Sequence, residues 1–419
     1  MFLLGGNVFF CTFVDTKTLR KAMQKISVLL LASLLSCVSV GKSDNSVPIS
    51  IKLGSERIEE YLPFLIGKKV GIVANHTSSI GNTTHLVDSL LSLGVSINKI
   101  FTPEHGLRGE VEAGELISNE IDRKTKLPII SLYGSTKKPT EKDLADLDIM
   151  LFDMQDVGVR FYTYISTMHY VMEACAENGI QLIVLDRPNP NGWYIDGPVL
   201  DTNYRSFVGM HSVPLVHGMT IGEFARMING EGWLKNGIQC DLTIVTCENY
   251  THDSLYILPE KPSPNLPNQT SIYLYPSLGF FEGTEISIGR GSDFPFQIFG
   301  HPEFNPTDFS FTPESRPGAS KTPPLMGKLC YGFDLRDYST EYFTDRKAIN
   351  IDWLLFAYQS YPNKDKFFNN YFNLLAGNNI LKEHIIKGLD SDSIQKTWHE
   401  QIYKYKGIRK KYLLYPDFE

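Results

Sequence analysis

The stretch LDIMLFDMQD, Leu147 to Asp156, is almost wholly apolar until its end, where Asp153, Gln155 and Asp156 appear. A strand with one wet face alternates apolar and polar residues; this one does not. It reads as a strand covered on both faces, which is the habit of a parallel sheet. Working outward, KVGIVAN (Lys69–Asn75), SINKIFTPEHG (Ser96–Gly106), LPIISLYG (Leu127–Gly134), IQLIVLDRPNPNG (Ile180–Gly192) and CDLTIVTC (Cys240–Cys247) have the same texture. Between them lie helical segments: THLVDSLLSLG with Gly94 as its stop, YISTMHYVMEACAENG closed by Gly179, and TIGEFARMING with Thr220 as its cap. Strands alternating with helices predict an α/β fold: a Rossmann-like, mostly parallel sheet with helices on both faces. After about residue 260 the chain turns rich in Pro, Gly and aromatics. Residues 306–326 read as a long crossing loop, and two helical stretches follow, IDWLLFAYQSY and the closing DSDSIQKTWHEQIYKYKGIRKKYLLYP. This predicts a smaller α+β C-terminal domain. The expected divisions are residues 1–44, 45–265 and 266–419.

The first division is a leader. From Met23, MQKISVLLLASLLSC has a lysine, an apolar run, a small residue and Cys37, the layout of an export signal. LLSC resembles a lipobox, so Cys37 is a candidate lipid anchor and the expected location is the periplasm or an outer-membrane-anchored lipoprotein of a bacterium; residues 1–22 read as an upstream extension. The other cysteines, Cys175, Cys240, Cys247 and Cys330, lack CxxC spacing; Cys240 and Cys247 read either as a pair or as buried thiols. The net charge of −7 argues against nucleic acid as a partner. The G-x-G-x-x-G fingerprint is missing after the first strand, where NHTSSIGN stands, so no nicotinamide cofactor is expected. No HExxH or comparable set marks a metal site, and no GxSxG elbow marks an esterase.

Open parallel sheets bind ligands beyond the carboxyl ends of their strands. Here those ends carry Asn75 and His76, then Glu104 and His105, then Tyr133, then Asp153, Asp156, Arg160 and Tyr162, then Asp186, Arg187 and Asn189. Paired carboxylates facing a cleft suit glycoside hydrolysis, one protonating the leaving oxygen and the other assisting from the far side. Glu104 is the candidate acid, with His105 as the rival acid or base. Asp153 is a further catalytic candidate, or orients a loop; Asp156 pairs with Arg160 or faces the ligand. FFEGTEISIGRG (Phe280–Gly291) adds Glu282, and Arg290 between two glycines, where its guanidinium can be presented on a tight turn. PSPNLP (Pro262–Pro267) is a rigid segment suited to a cleft wall. The competing readings are a glycan-binding lipoprotein that does not hydrolyse, and a metal-dependent hydrolase.

Taken together, KKVGIVANHTS, FTPEHGLRGEVEAGE, SLYGSTKKPT, FDMQDVGVRFYTYISTM, LDRPNPNG, VPLVHGMTIGEFA, PSPNLP, YPSLGFFEGTEISIGRG and RKKYLLY resemble the exo-β-N-acetylmuramidase family, in collinear order over about residues 50–419. The resemblance implies an enzyme that removes N-acetylmuramic acid from the non-reducing end of peptidoglycan glycans, in a cleft between a Rossmann-like and a smaller C-terminal domain. It implies Glu104 as the catalytic carboxylate. It places His105, Asp153, Arg160, Tyr162, Asp186, Arg187, Asn189, Glu282 and Arg290 at motif positions on the cleft. Muramic acid carries a lactyl carboxylate, and Arg160 or Arg290 is the expected reader of it.

Overall fold

The computed structural model describes residues 50–81, 83–104, 106–108 and 120–419. The leader over residues 1–44, Cys37 within it, and His105 lie outside the described residues. The chain enters the sheet as β1 (Lys69–Ala74), makes a hairpin of β2 (Ser79–Ile80) and β3 (Thr84–His85), and returns as β4 (Ser96–Thr102). Then come β5 (Glu120–Ile121), β6 (Pro128–Ser131), β7 (Ile149–Asp153), β8 (Gln181–Leu185) and β9 (Leu242–Val245). They form one sheet in the order β5-β6-β4-β1-β7-β8-β9. Every pairing is parallel except β5 with β6. Without that short edge strand the order is the doubly wound 3-2-1-4-5-6, whose direction reverses between β1 and β7.

The two-sided burial expected of β7 is met, and the strand's period of two sorts its side chains. Met150 and Phe152 join a cluster with Ile165, Met168 and Met172 of the helix Tyr164–Asn178 and with Phe224 and Ile228 of the helix Ile221–Gly230. Ile149 and Leu151 face the other way, toward Tyr61 and Leu65 of the helix Ile58–Leu65 and Leu86, Val87 and Leu90 of the helix Leu86–Ser92. Gly179 ends its helix in the left-handed conformation, and Thr220 caps its helix by accepting from the Glu223 N–H. The four cysteines among the described residues are buried free thiols, so Cys240 and Cys247 do not pair.

In the C-terminal region β10 (Ile298–His301), β11 (Ser310–Phe311) and β12 (Cys330–Asp334) form a small antiparallel sheet in the order β10-β12-β11. The helix Asp352–Ser360 is where the pattern put it, but the expected terminal helix is broken into Ser391–Lys396 and His399–Arg409. Gln269–Leu278 is helical although Pro276 lies within it. Proline removes the N–H that would have bonded the carbonyl of Ile272. The side-chain amide of Asn191 donates to that carbonyl instead, at 3.4 Å. From Ser50 to Glu419 the chain packs as one unit.

Gly279 closes this helix against Phe161, which follows β7 and meets Tyr275 and Phe280 edge-on at 5.0 and 6.1 Å. A Cβ on Gly279 would stand 2.3 Å from the Phe161 ring. Gly279→Ala is expected to displace the ring and to cost about 1–3 kcal/mol. Urea unfolding should show a lower midpoint with an unchanged slope; an unchanged midpoint would mean that the ring moves freely.

Candidate active site

A cleft of about 480 Å³ opens between the carboxyl edge of the sheet and the C-terminal region. On the sheet side stand Glu104 after β4, Tyr133 and Lys137 after β6, and Tyr162 to Tyr164 after β7. Facing them are Ser263 and Asn265 of PSPNLP, Tyr275, Glu282, Arg290 and Tyr371. The wall role expected of PSPNLP is what the fold gives it, held by the Tyr162 hydroxyl donating to the Pro262 carbonyl at 2.7 Å.

Glu282 and Arg290 form an ion pair inside the cleft. One oxygen of Glu282 accepts from Arg290 Nη2 at 2.6 Å and from Nε at 3.1 Å. Gly289 and Gly291, both at positive φ, make the turn that presents the arginine, and its guanidinium lies 5.1 Å from the Phe296 ring centre. Burial works against the charge of Arg290. The carboxylate of Glu282, with Tyr275 and Glu104 nearby, outweighs it and holds the guanidinium above its ordinary value. Burial, and then the carboxylates of Glu282 and Glu104, raise the phenol of Tyr371. Burial likewise raises Tyr162 and Tyr164, whose rings meet edge-on at 4.7 Å. The tyrosines therefore face the cleft as neutral hydroxyls.

Of the expected site residues, the cleft brings together Glu104, Tyr162, Glu282 and Arg290. The other described ones do not line it. Asn75 is buried and its amide donates to the Tyr164 hydroxyl at 2.7 Å, so it reaches the cleft only through that ring. His76 contacts the Lys261 carbonyl at 2.8 Å, beside PSPNLP. Asp153, expected as a catalytic group, is fully buried. It holds Arg187 through two bonds of 2.6 and 2.9 Å, which fixes both side chains. Asp186, also buried, accepts from the Tyr415 and Thr220 hydroxyls and from the N–H groups of Arg187 and Gly222. Asn189 is tied to the Met219 carbonyl and the Asn191 N–H. Arg160, expected as a reader of the lactyl carboxylate, does not line the cleft and does not pair with Asp156. It is fully buried and donates to the carbonyls of Pro198, Val213, Leu375 and Ala376 at 2.6–3.0 Å. Burial without a counter-charge lowers its pKa to about 9.

The pattern reading missed Lys137, Tyr164, Tyr275, Phe296 and Tyr371 as lining residues. Lys137 carries the one available signal, a charge soon after the β6 exit where Tyr133 was already noted. Among the described residues no group of three His, Cys, Asp or Glu is placed to hold a metal ion.

Residues 70–270 match the family described as "Exo-beta-N-acetylmuramidase NamZ, N-terminal", and residues 273–415 match its C-terminal counterpart. A Bacillus subtilis (strain 168) protein named peptidoglycan beta-N-acetylmuramidase NamZ is 39% identical over 380 residues, 85% of this chain and 89% of that protein. A solved DUF1343 family protein of Bacteroides fragilis NCTC 9343 superposes with a TM-score of 0.82 at 46% identity, over 88% of this chain and 99% of its own. A second from the same strain gives 0.72 at 29% identity, over 88% and 100%.

Asp156 yields a pH prediction. Its Oδ2 accepts from the Gly158 N–H at 2.7 Å and lies 4.0 Å from His217 Nε2, while its Oδ1 has no partner among the described residues. Burial raises its pKa from 3.8 to about 7, and burial lowers that of His217 to about 3. The folded state therefore keeps a proton on Asp156 that the unfolded chain releases near its ordinary pKa. Stability from this group is full below about pH 4 and is lost as pH rises toward 7. Asp156→Asn should flatten the decline of the melting temperature between pH 4 and 7, measured by calorimetry. An unaltered slope would assign the decline to other groups.

Proposed function

The chain belongs to the exo-β-N-acetylmuramidase family, and we propose that it is an exo-acting glycoside hydrolase that releases N-acetylmuramic acid from the non-reducing end of peptidoglycan fragments. The observation that carries this reading is the meeting of two carboxylates from opposite walls, Glu104 and Glu282, in one cleft lined with tyrosines. Hydrolysis of a glycosidic bond needs a proton on the leaving oxygen and negative charge near the cationic transition state. In this reading Glu104 delivers the proton. Glu282 is the fixed negative charge, because the Arg290 guanidinium hydrogen-bonds one of its oxygens and holds the group in place. The tyrosine hydroxyls orient the sugar, and the ring faces of Phe161, Tyr162 and Phe296 exclude water. The 2-acetamido carbonyl of the sugar is a suitable internal nucleophile, for which Glu282 would serve as the orienting carboxylate.

Export belongs to the same proposal. Peptidoglycan lies outside the cytoplasm, and the segment from Met23 to Cys37 has the layout of an export signal ending at a candidate lipidation cysteine. The protein then works in the periplasm or anchored to the outer membrane.

Glu104→Gln tests the assignment. It keeps the size and removes the proton donor, so turnover of 4-nitrophenyl β-N-acetylmuramide should fall by about 10²–10⁴-fold with the melting temperature unchanged. Turnover within about threefold of wild type would remove Glu104 from the acid role. Equal wild-type rates on the N-acetylglucosaminide would argue against muramic acid as the preferred sugar.

A further inference from the structure

We infer that Lys137 is the residue that recognises the lactyl carboxylate of the sugar, an inference that rests on the proposed glycosidase reading for the identity of that sugar. The cleft lining holds two cations, Arg290 and Lys137. Arg290 is already answered by Glu282 at 2.6 Å. Lys137 forms no ion pair among the described residues, and its contact is the face of Phe207, whose ring centre lies 4.4 Å from the ammonium. The next residue makes the contrast: Lys138 is bound by Glu173 at 2.7 Å and by Glu177 at 2.6 Å. Consecutive lysines thus divide, one closing a structural pair and the other presenting its charge to the cleft.

Among the described residues, the surroundings leave that charge without an ion pair. A second cavity of about 390 Å³ adjoins the cleft, and Lys137, Ser206 and Phe207 line both. The side chains it adds include Arg205 and Lys235, neither in an ion pair among the described residues. Its carboxylate, Glu173, is occupied by Lys138 and by the Lys235 N–H at 2.8 Å.

A carboxylate entering a cleft that already holds the charged Glu282 meets like charge. Arg290 offsets Glu282, and Lys137 is placed to offset the newcomer. An ammonium in a partly desolvated wall discriminates by charge: the neutral analogue leaves it buried and unanswered. Phe207 holds the ammonium by its ring face, so little ordering is left for binding to do.

The test compares N-acetylmuramic acid with its lactyl methyl ester, the same sugar without the charge. For wild type, Lys137→Met and Lys137→Arg, kcat/KM is measured on the 4-nitrophenyl β-glycosides of both, and binding of both free sugars is measured by calorimetry. A charge-assisted contact corresponds to about 10–100-fold. Lys137→Met should lose that factor on the acid, remain within about twofold on the ester, and so lose the wild-type preference; Lys137→Arg should recover most of it. Equal losses on acid and ester, or an unchanged preference, would overturn the inference. The calorimetry separates the two readings, since preferential binding of the acid that depends on Lys137 upholds recognition even if neither glycoside is cleaved, an outcome that would count against the glycosidase reading alone.

Discussion

Arg160 ties the two walls of the cleft together. It follows β7, the strand at the reversal of the sheet, yet two of its four acceptors are Leu375 and Ala376, the last residues of the helix Phe372–Ala376. A helix ends with carbonyls that have no internal partner and a partial negative charge. A buried guanidinium answers both at once. Its Nη1 donates to the carbonyls of Pro198 and Val213, so one side chain fixes two loops of the sheet half against the C-terminal helices. Gly377, at positive φ, ends the helix, and a Cβ there would stand 2.7 Å from the guanidinium. Tyr371 begins this turn and lines the cleft, so its position depends on a charge that does not itself line the cleft.

The same division of labour runs along the carboxyl edge of the sheet. Over β1, β7 and β8 the polar residues form a sealed floor: Asn75, Asp153 with Arg187, and Asp186 with Thr220 and Tyr415. Over β4 and β6 they face the cleft. The floor is closed because segments distant in sequence cover it. Ser55 lies against Arg187, and Tyr415 reaches Asp186 from the chain's last residues. A buried ion pair broken on one side leaves an unanswered charge, so such a floor is stiff and specific rather than a source of net stability.

This explains what was legible from the residues. The near-continuous apolar runs of β1, β4 and β7, and the glycine stop of Tyr164–Asn178, are local signals, and the sheet follows from them. The exits of the strands are local too, and that is why Glu104 and Tyr162 were found. Whether an ionisable residue at an exit is covered is not local. Asp153 and Glu104 look alike in sequence and differ only in what folds over them. Gln269–Leu278 was hidden because its rescue of the carbonyl at Ile272 comes from Asn191, about 80 residues earlier. Tyr371 was hidden because Arg160 places it.

The charge of the whole chain and the charge of the cleft point in opposite directions. A net charge of −7 would repel an acidic sugar at long range, but at physiological salt such fields fade over about 8 Å. Inside the cleft the nearest groups decide. There Arg290 is paired with Glu282 and Arg160 is sealed behind the wall, so each of these two arginines is engaged by groups of the protein itself. Glu104 and Lys137 line the cleft from the ends of adjacent strands, β4 and β6. Parallel neighbours in a sheet end side by side, and the sheet thereby brings an acid for the bond and a cation for the substituent onto the same wall.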